Sequence, residues 1–162
     1  MCTLDGISDR ISDRIQDFLA QKRFALVGVS RQSKDFSRTL LREFRARGYD
    51  PVPVNPEADA IEGIPCIRRV QDIDPPVDSI LFMTSPEITE RLVREYAQTG
   101  IKRVWFYRGG GCGAGTAGAV KFCEDNGIAV VPGECPFMFF PGTGWIHRFH
   151  GFVRKIAGAY PH

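Results

Sequence analysis

Ile7, Ile11, Ile15, Phe18 and Leu19 recur at helical spacing between charged residues, which predicts an amphipathic helix over about residues 7–22, outside the core. Lys22 and Arg23 suit its C-terminal end. The doubled ISDR within this stretch is a local echo, too short for a structural repeat. The pattern then changes period. FALVGVS is a short apolar run ending at Gly28, as in a strand buried on both faces. SRTLLREFRARGY places Leu40, Leu41 and Phe44 on one helical face, with Gly48 as its C-terminal stop.

PVPVNP reads as a brief strand bounded by prolines. A loop with Gly63, Pro65 and the Pro75-Pro76 pair follows. SILFMTSP is a third strand stopped by Pro86, residues 87–99 a helix capped by Gly100, and KRVWFYR a fourth strand. Gly-rich residues 109–118 lead into a helix ending near Gly127, and IAVV is a fifth strand. Strands alternating with helices imply right-handed crossovers and a doubly wound α/β fold, a mostly parallel five-stranded Rossmann-like sheet. One domain is expected over 1–162: a core at about 22–136, the N-terminal helix, and an aromatic extension over 137–162 with a helix at about 144–158.

Composition narrows the function. With 21 basic and 19 acidic residues the net charge is +2, too balanced for bulk binding of a nucleic-acid backbone. No apolar run approaches the roughly 20 residues of a membrane helix, and the N-terminus lacks a secretory h-region. Cys2, Cys66, Cys112, Cys123 and Cys135 form no C-x-x-C pair, and reduced thiols in a cytoplasmic protein are expected.

In open parallel sheets, ligands sit beyond the carboxyl ends of the strands. The loop after the first strand, residues 28–37, offers Gly28 for close backbone approach, the Ser30 hydroxyl and amide, and a helix start with unpaired N–H groups. Arg31, Lys34 and Arg38 bring three cations to its rim. Together these describe a pocket for a pyrophosphate; an ordinary turn with solvated charges is the alternative. Asn55-Pro56 ends the second strand, where a dinucleotide enzyme favours an acid. Glu57 comes only two residues later, which weakens the NAD reading without excluding it. Thr84-Ser85-Pro86 ends the third strand as polar cleft wall or as a helix cap with Pro at the first position.

The pair GVS and VPVNP at this spacing, with an apolar strand ending in SP and a Cys135-Pro136 dipeptide, resembles the CoA-binding domain family. That family shares its fold with the N-terminal CoA-binding domain of the succinyl-CoA synthetase alpha subunit. The resemblance covers about residues 22–136 and implies coenzyme A between the strand ends. Gly28 and Ser30 would meet the phosphates, with Lys34, Phe36 and Ser37 along the same loop, where Val29 and Arg31 are further cofactor-binding candidates. Val54, Asn55 and Pro56 would flank the adenosine, and Thr84, Ser85 and Pro86 would close the cleft. The start of the fourth helix, GGGCGAGTAG, lacks the acid usual in the family. The synthetases phosphorylate a histidine on a second domain, whereas His147, His150 and His162 here all lie in the tail, so autonomous thioester synthesis is not expected.

Gly113, Gly115 and Gly118 spell GxGxxG after a strand, with Glu134 21 residues on, much of a dinucleotide fingerprint. Only one strand follows it, which favours close packing of small residues; a second anion nest is the intermediate reading. Cys112, just before a helix, is a candidate for a mixed disulfide with a bound thiol, against the commoner inert thiol, while Cys135 suits packing. His147 and His150 share a helical face without a carboxylate or thiol nearby, which suits packing better than metal binding. The tail aromatics Phe137, Phe139, Phe140, Trp145, Phe149 and Phe152 suit a covered sheet edge or a homodimer contact. No nucleophile, base and orienter fall together. The expectation is a non-catalytic CoA or acyl-CoA binding module, with an acyl-CoA-metabolism protein as partner. An NAD(P) oxidoreductase or an acyl-CoA ligase subunit is the alternative.

Overall fold

A computed structural model describes residues 5–108 and 113–140. Its main sheet is five-stranded and wholly parallel, built from β1 (Arg23–Val27), β2 (Asp50–Val54), β5 (Ser79–Phe82), β6 (Arg103–Tyr107) and β7 (Ala129–Glu134) in the order β2-β1-β5-β6-β7. The α/β class expected from the sequence holds. Two corrections concern strands. The segment expected as plain loop contains a two-stranded antiparallel hairpin, β3 (Ala60–Ile61) and β4 (Ile64–Pro65). Its turn is made by Glu62 and Gly63, both at positive φ, and two-residue strands are too short to show alternation. The last strand runs on past Val131 to Glu134, because its pairing with β6 tolerates an irregularity that carries it over Pro132.

Continuous apolar runs make the central strands. Ile80, Leu81 and Phe82 of β5 and Val104, Trp105 and Phe106 of β6 are buried, their side chains alternating between two cores. On one face α1 (Asp5–Ala20) contributes Ile15 and Phe18, and α2 (Phe36–Ala46) contributes Leu40, Leu41 and Phe44, against Phe24, Leu26, Leu81 and Trp105. On the other, α3 (Pro86–Tyr96) contributes Val93 and Tyr96, and α4 (Ala117–Asp125) contributes Ala119 and Cys123, against Val27, Phe82 and Phe106. Each buried valine, leucine, isoleucine or phenylalanine among these contributes about 1.5–3 kcal/mol. Trp105 lies edge-on to Phe18 and donates its indole N–H to the Glu134 carbonyl at 2.9 Å.

Both sheet edges are blocked. Pro53 of β2 accepts from the Ile67 amide on its open side, so its missing N–H also faces that way and removes a donor from the edge. At the far edge, Arg14 of α1 donates to the Val130 carbonyl at 3.0 Å. From β1 the chain steps outward to β2, then returns past β1 to β5 and continues to β6 and β7. The direction of winding therefore reverses between β1 and β5, and α2 and α3 leave on opposite faces, opening a crevice at the carboxyl ends of these strands.

Candidate functional site

A cleft of about 530 Å³ opens at this reversal, within the range of small-molecule sites. Gly28, Val54, Asn55, Pro56 and Thr84, named in the sequence from three separate strand ends, all line it. Its opposite wall is α3, whose Ile88, Arg91, Leu92 and Glu95 share one helical face. Ile88 is the one large apolar side chain left exposed among the described residues, at 41%. Arg68 and Arg69, just past the β3–β4 hairpin, complete the rim.

Gly28 adopts φ +93°, and a Cβ there would lie 2.8 Å from Thr84 Cγ2 and 3.0 Å from the Met83 and Thr84 backbone. The glycine lets the end of β1 press against the end of β5, so its small size first serves a neighbouring strand. The Asn55 side chain fixes the join between strand ends: its amide donates to the Val29 carbonyl at 2.8 Å, and its Oδ1 accepts from the Glu57 amide at 2.8 Å.

The loop 28–37 is braced from within. Asp35 caps α2, accepting from the Ser37 amide at 2.8 Å and the Ser37 hydroxyl at 2.5 Å. The same hydroxyl accepts from the Ser30 amide at 2.9 Å, and the Ser30 hydroxyl from the Gln32 amide at 3.1 Å. Ser37 is buried, and the half-buried Phe36 packs between the Tyr107 and Phe137 rings, so both build the loop from its core side. The amides of Arg31, Ser33 and Lys34, all exposed residues, have no acceptor among the described residues. Val29 is buried, and Ser85 and Pro86 are the N-cap and first residue of α3.

The three-cation rim needs correction. Arg38 is only 12% exposed, pairs with Glu62 at 2.7 Å, and donates to the Ser30 and Arg31 carbonyls at 3.3 and 3.2 Å. It holds the loop together. Because C=O and the following N–H point oppositely across a trans peptide, pinning the Ser30 carbonyl turns the Arg31 amide away from Arg38. Arg31 pairs with Glu57 at 3.1 Å in the open. The cleft's own cations are Arg68, Arg69 and Arg91, missed in the sequence; Arg91 lies opposite the Thr89, Val93 and Tyr96 core stripe of its helix, on the face that carries Ile88 and Leu92. Arg69 donates two hydrogen bonds to the Asp72 carboxylate, which hold its guanidinium and raise its pKa above the usual range. Burial pushes the Cys66 thiol up; it lies beneath Asn55, 3.8 Å from that carbonyl.

The GxGxxG segment is filled by the protein itself. Added Cβ atoms would lie 2.8 Å from the Tyr107 carbonyl at Gly113, 2.9 Å from the Phe106 side chain at Gly115 and 2.6 Å from Glu90 Oε1 at Gly118. Thr116 caps α4 by accepting from the Ala119 amide at 2.9 Å and donates its hydroxyl to Glu90. That hydrogen bond from Thr116, and after it the one from Arg94 at 2.7 Å, keeps the Glu90 carboxyl below its ordinary range. A protein carboxylate thus occupies the helix end where the dinucleotide reading needed a pyrophosphate. Cys112, His147, His150 and the helix expected at 144–158 lie outside the described residues, as do Trp145, Phe149 and Phe152. Of the other tail aromatics, Phe137 and Phe140 are buried in the α1–α2 core. No group of metal-ligating side chains occurs among the described residues, and no helix there is long and apolar enough to cross a membrane.

Residues 22–141 match the CoA binding domain family. The chain belongs to that family. Among curated proteins, this CoA-binding domain is 27% identical over 88 residues to an uncharacterized protein of Bacillus subtilis, YneT, covering 54% of the chain and 65% of the relative. It is 26% identical over 152 residues to the ADP-forming acetate–CoA ligase II of Archaeoglobus fulgidus, covering 88% of the chain and 21% of the ligase. The chain thus spans less than two thirds of the first relative and about a fifth of the second. Among solved structures, a hypothetical protein from Pyrococcus horikoshii superposes with a TM-score of 0.69 at 27% identity, over 78% of this chain and 86% of that one.

Proposed function

We propose that this protein binds coenzyme A or an acyl-CoA in the cleft between β1, β2, β5 and α3, as a binding or regulatory module. One observation carries the reading: residues named from three strand ends line a single cleft at the winding reversal, beside a loop with unspent amides. The apolar wall of Val27, Val54, Ile88 and Leu92 suits an adenine ring. The exposed amides of Arg31, Ser33 and Lys34, with the two basic side chains, suit the pyrophosphate. From there Thr84, Ser85 and Pro86 bound the path of the pantetheine arm. When bound, the ligand brings a thiol or thioester, which the cleft residues orient.

A second reading, a CoA-binding component working with an acyl-CoA ligase, draws support from the match of 88% of the chain to a segment of the Archaeoglobus enzyme. Thermal unfolding with coenzyme A, NAD and NADP tests the binding itself. Coenzyme A at 100 times its Kd should stabilise the fold by about 2.7 kcal/mol through mass action. Replacing Arg31 and Lys34 together by Ala should weaken that binding and flatten its dependence on salt. A clear preference for NAD or NADP would overturn the proposal.

A further inference from the structure

We infer that Arg68 and Arg91 form a second anion site, which takes a phosphomonoester on the adenosine ribose and so selects coenzyme A over its dephosphorylated form. The inference rests on the CoA reading of the cleft. Such a ligand carries two separated anionic groups, a pyrophosphate and a terminal monoester of nearly −2 charge at neutral pH. The loop 28–37 offers amides to one. The opposite rim, outside that loop, is where Arg68, Arg69 and Arg91 gather.

Their pairings differ in a way that decides their roles. Asp72 takes both Nε and Nη2 of Arg69, at 3.0 and 3.1 Å, so this guanidinium is already engaged and adds mainly field. Arg68 makes one contact to Asp59 at 3.1 Å, and Asp59 is 91% exposed, a pair that water competes with directly. Arg91 is exposed on the cleft face of α3 and makes no ion pair among the described residues. A dianion can displace the Arg68 contact and bind both forks, the geometry guanidinium favours for phosphate. Two carboxylates also line the cleft. Glu57 is paired with Arg31, and Glu95 accepts from Gln71 at 3.1 Å, so the three arginines outnumber them at the rim.

Isothermal titration of the intact chain with coenzyme A and dephospho-CoA tests this, with NADP against NAD showing whether a 2′-phosphate serves as well. The wild type should prefer coenzyme A by about tenfold or more. Arg91→Ala and Arg68→Ala should each remove most of that preference, while dephospho-CoA binds within about twofold of its wild-type affinity. Equal binding of the two thiols by the wild type overturns this inference and leaves the CoA reading standing, as does a preference untouched by both variants. Binding of neither thiol overturns both. Unchanged melting temperatures of the free variants confirm that the comparison is between folded proteins.

Discussion

Gly28 joins architecture to the site through one missing methyl group. Its φ of +93° lies where a side chain is strained, and its Cβ position is already taken by Thr84 and the Met83–Thr84 backbone. The two costs combine, so Gly28→Ala should destabilise the protein by about 2–4 kcal/mol in urea unfolding. Coenzyme A affinity should fall with it, since the β1 and β5 ends would part beneath the ligand. Glu62 is the opposite case. It adopts φ +53°, where Gly or Asn is usual, yet its carboxylate holds Arg38 at 2.7 Å and Arg42 at 3.1 Å. Arg38 in turn holds the loop carbonyls, so a residue on the hairpin tip sets the orientation of amides on the far side of the cleft rim.

Between elements, the junction of α3 and α4 is electrostatic. Glu90 of α3 sits at the N-terminal end of α4, held by Thr116 and Arg94, and a carboxylate there also meets the positive end of the helix dipole. Its folded carboxyl ionises below its ordinary range. The stabilisation is therefore fully present above the unfolded carboxyl's range and is lost as pH falls through the lowered folded value. Glu90→Gln should make unfolding free energy less dependent on pH below about pH 4.5, the ordinary glutamate range, while leaving the neutral fold intact. Titrating stability by urea at successive pH values measures this; an unchanged acid limb would show that Glu90 is not the group responsible. The tight packing of Gly118 against this carboxylate explains a glycine that needs no ligand.

For the whole molecule, protection should follow position in the sheet. All four residues of β5 are buried, and the strand has a partner on each side, whereas β2 is an edge. Amide exchange should be slowest in β5, approaching the rate set by global unfolding, and fastest in the loop 28–37. Adding coenzyme A should slow exchange at Arg31, Ser33 and Lys34 beyond the change seen in the sheet; uniform slowing would place the ligand elsewhere. The two cores hold the sheet, while strand ends, one face of α3 and Arg68 and Arg69 wall the cleft, which shares Val27, Val54 and Tyr96 with one of those cores.

Local pattern was enough for much of this. The unbroken apolar runs of β1, β5 and β6 predict buried parallel strands, because a strand covered on both faces has no polar side to alternate with. That Gly28, Asn55 and Thr84 line one cleft was legible because parallel strands bring their carboxyl ends to one side. What the sequence left open depended on contacts between distant residues. GxGxxG reads alike whether a pyrophosphate or a protein side chain fills the missing Cβ positions, and only the folded chain brings Glu90 to Gly118. Arg38 looks like a ligand cation until Glu62 and two carbonyls surround it, and Arg68 and Arg91 look like solvated charges until a hairpin and a helix face across the cleft. Spacing along a chain reports periodicity, whereas charge partners and filled volumes are set by which surfaces meet, and that was decided only in three dimensions.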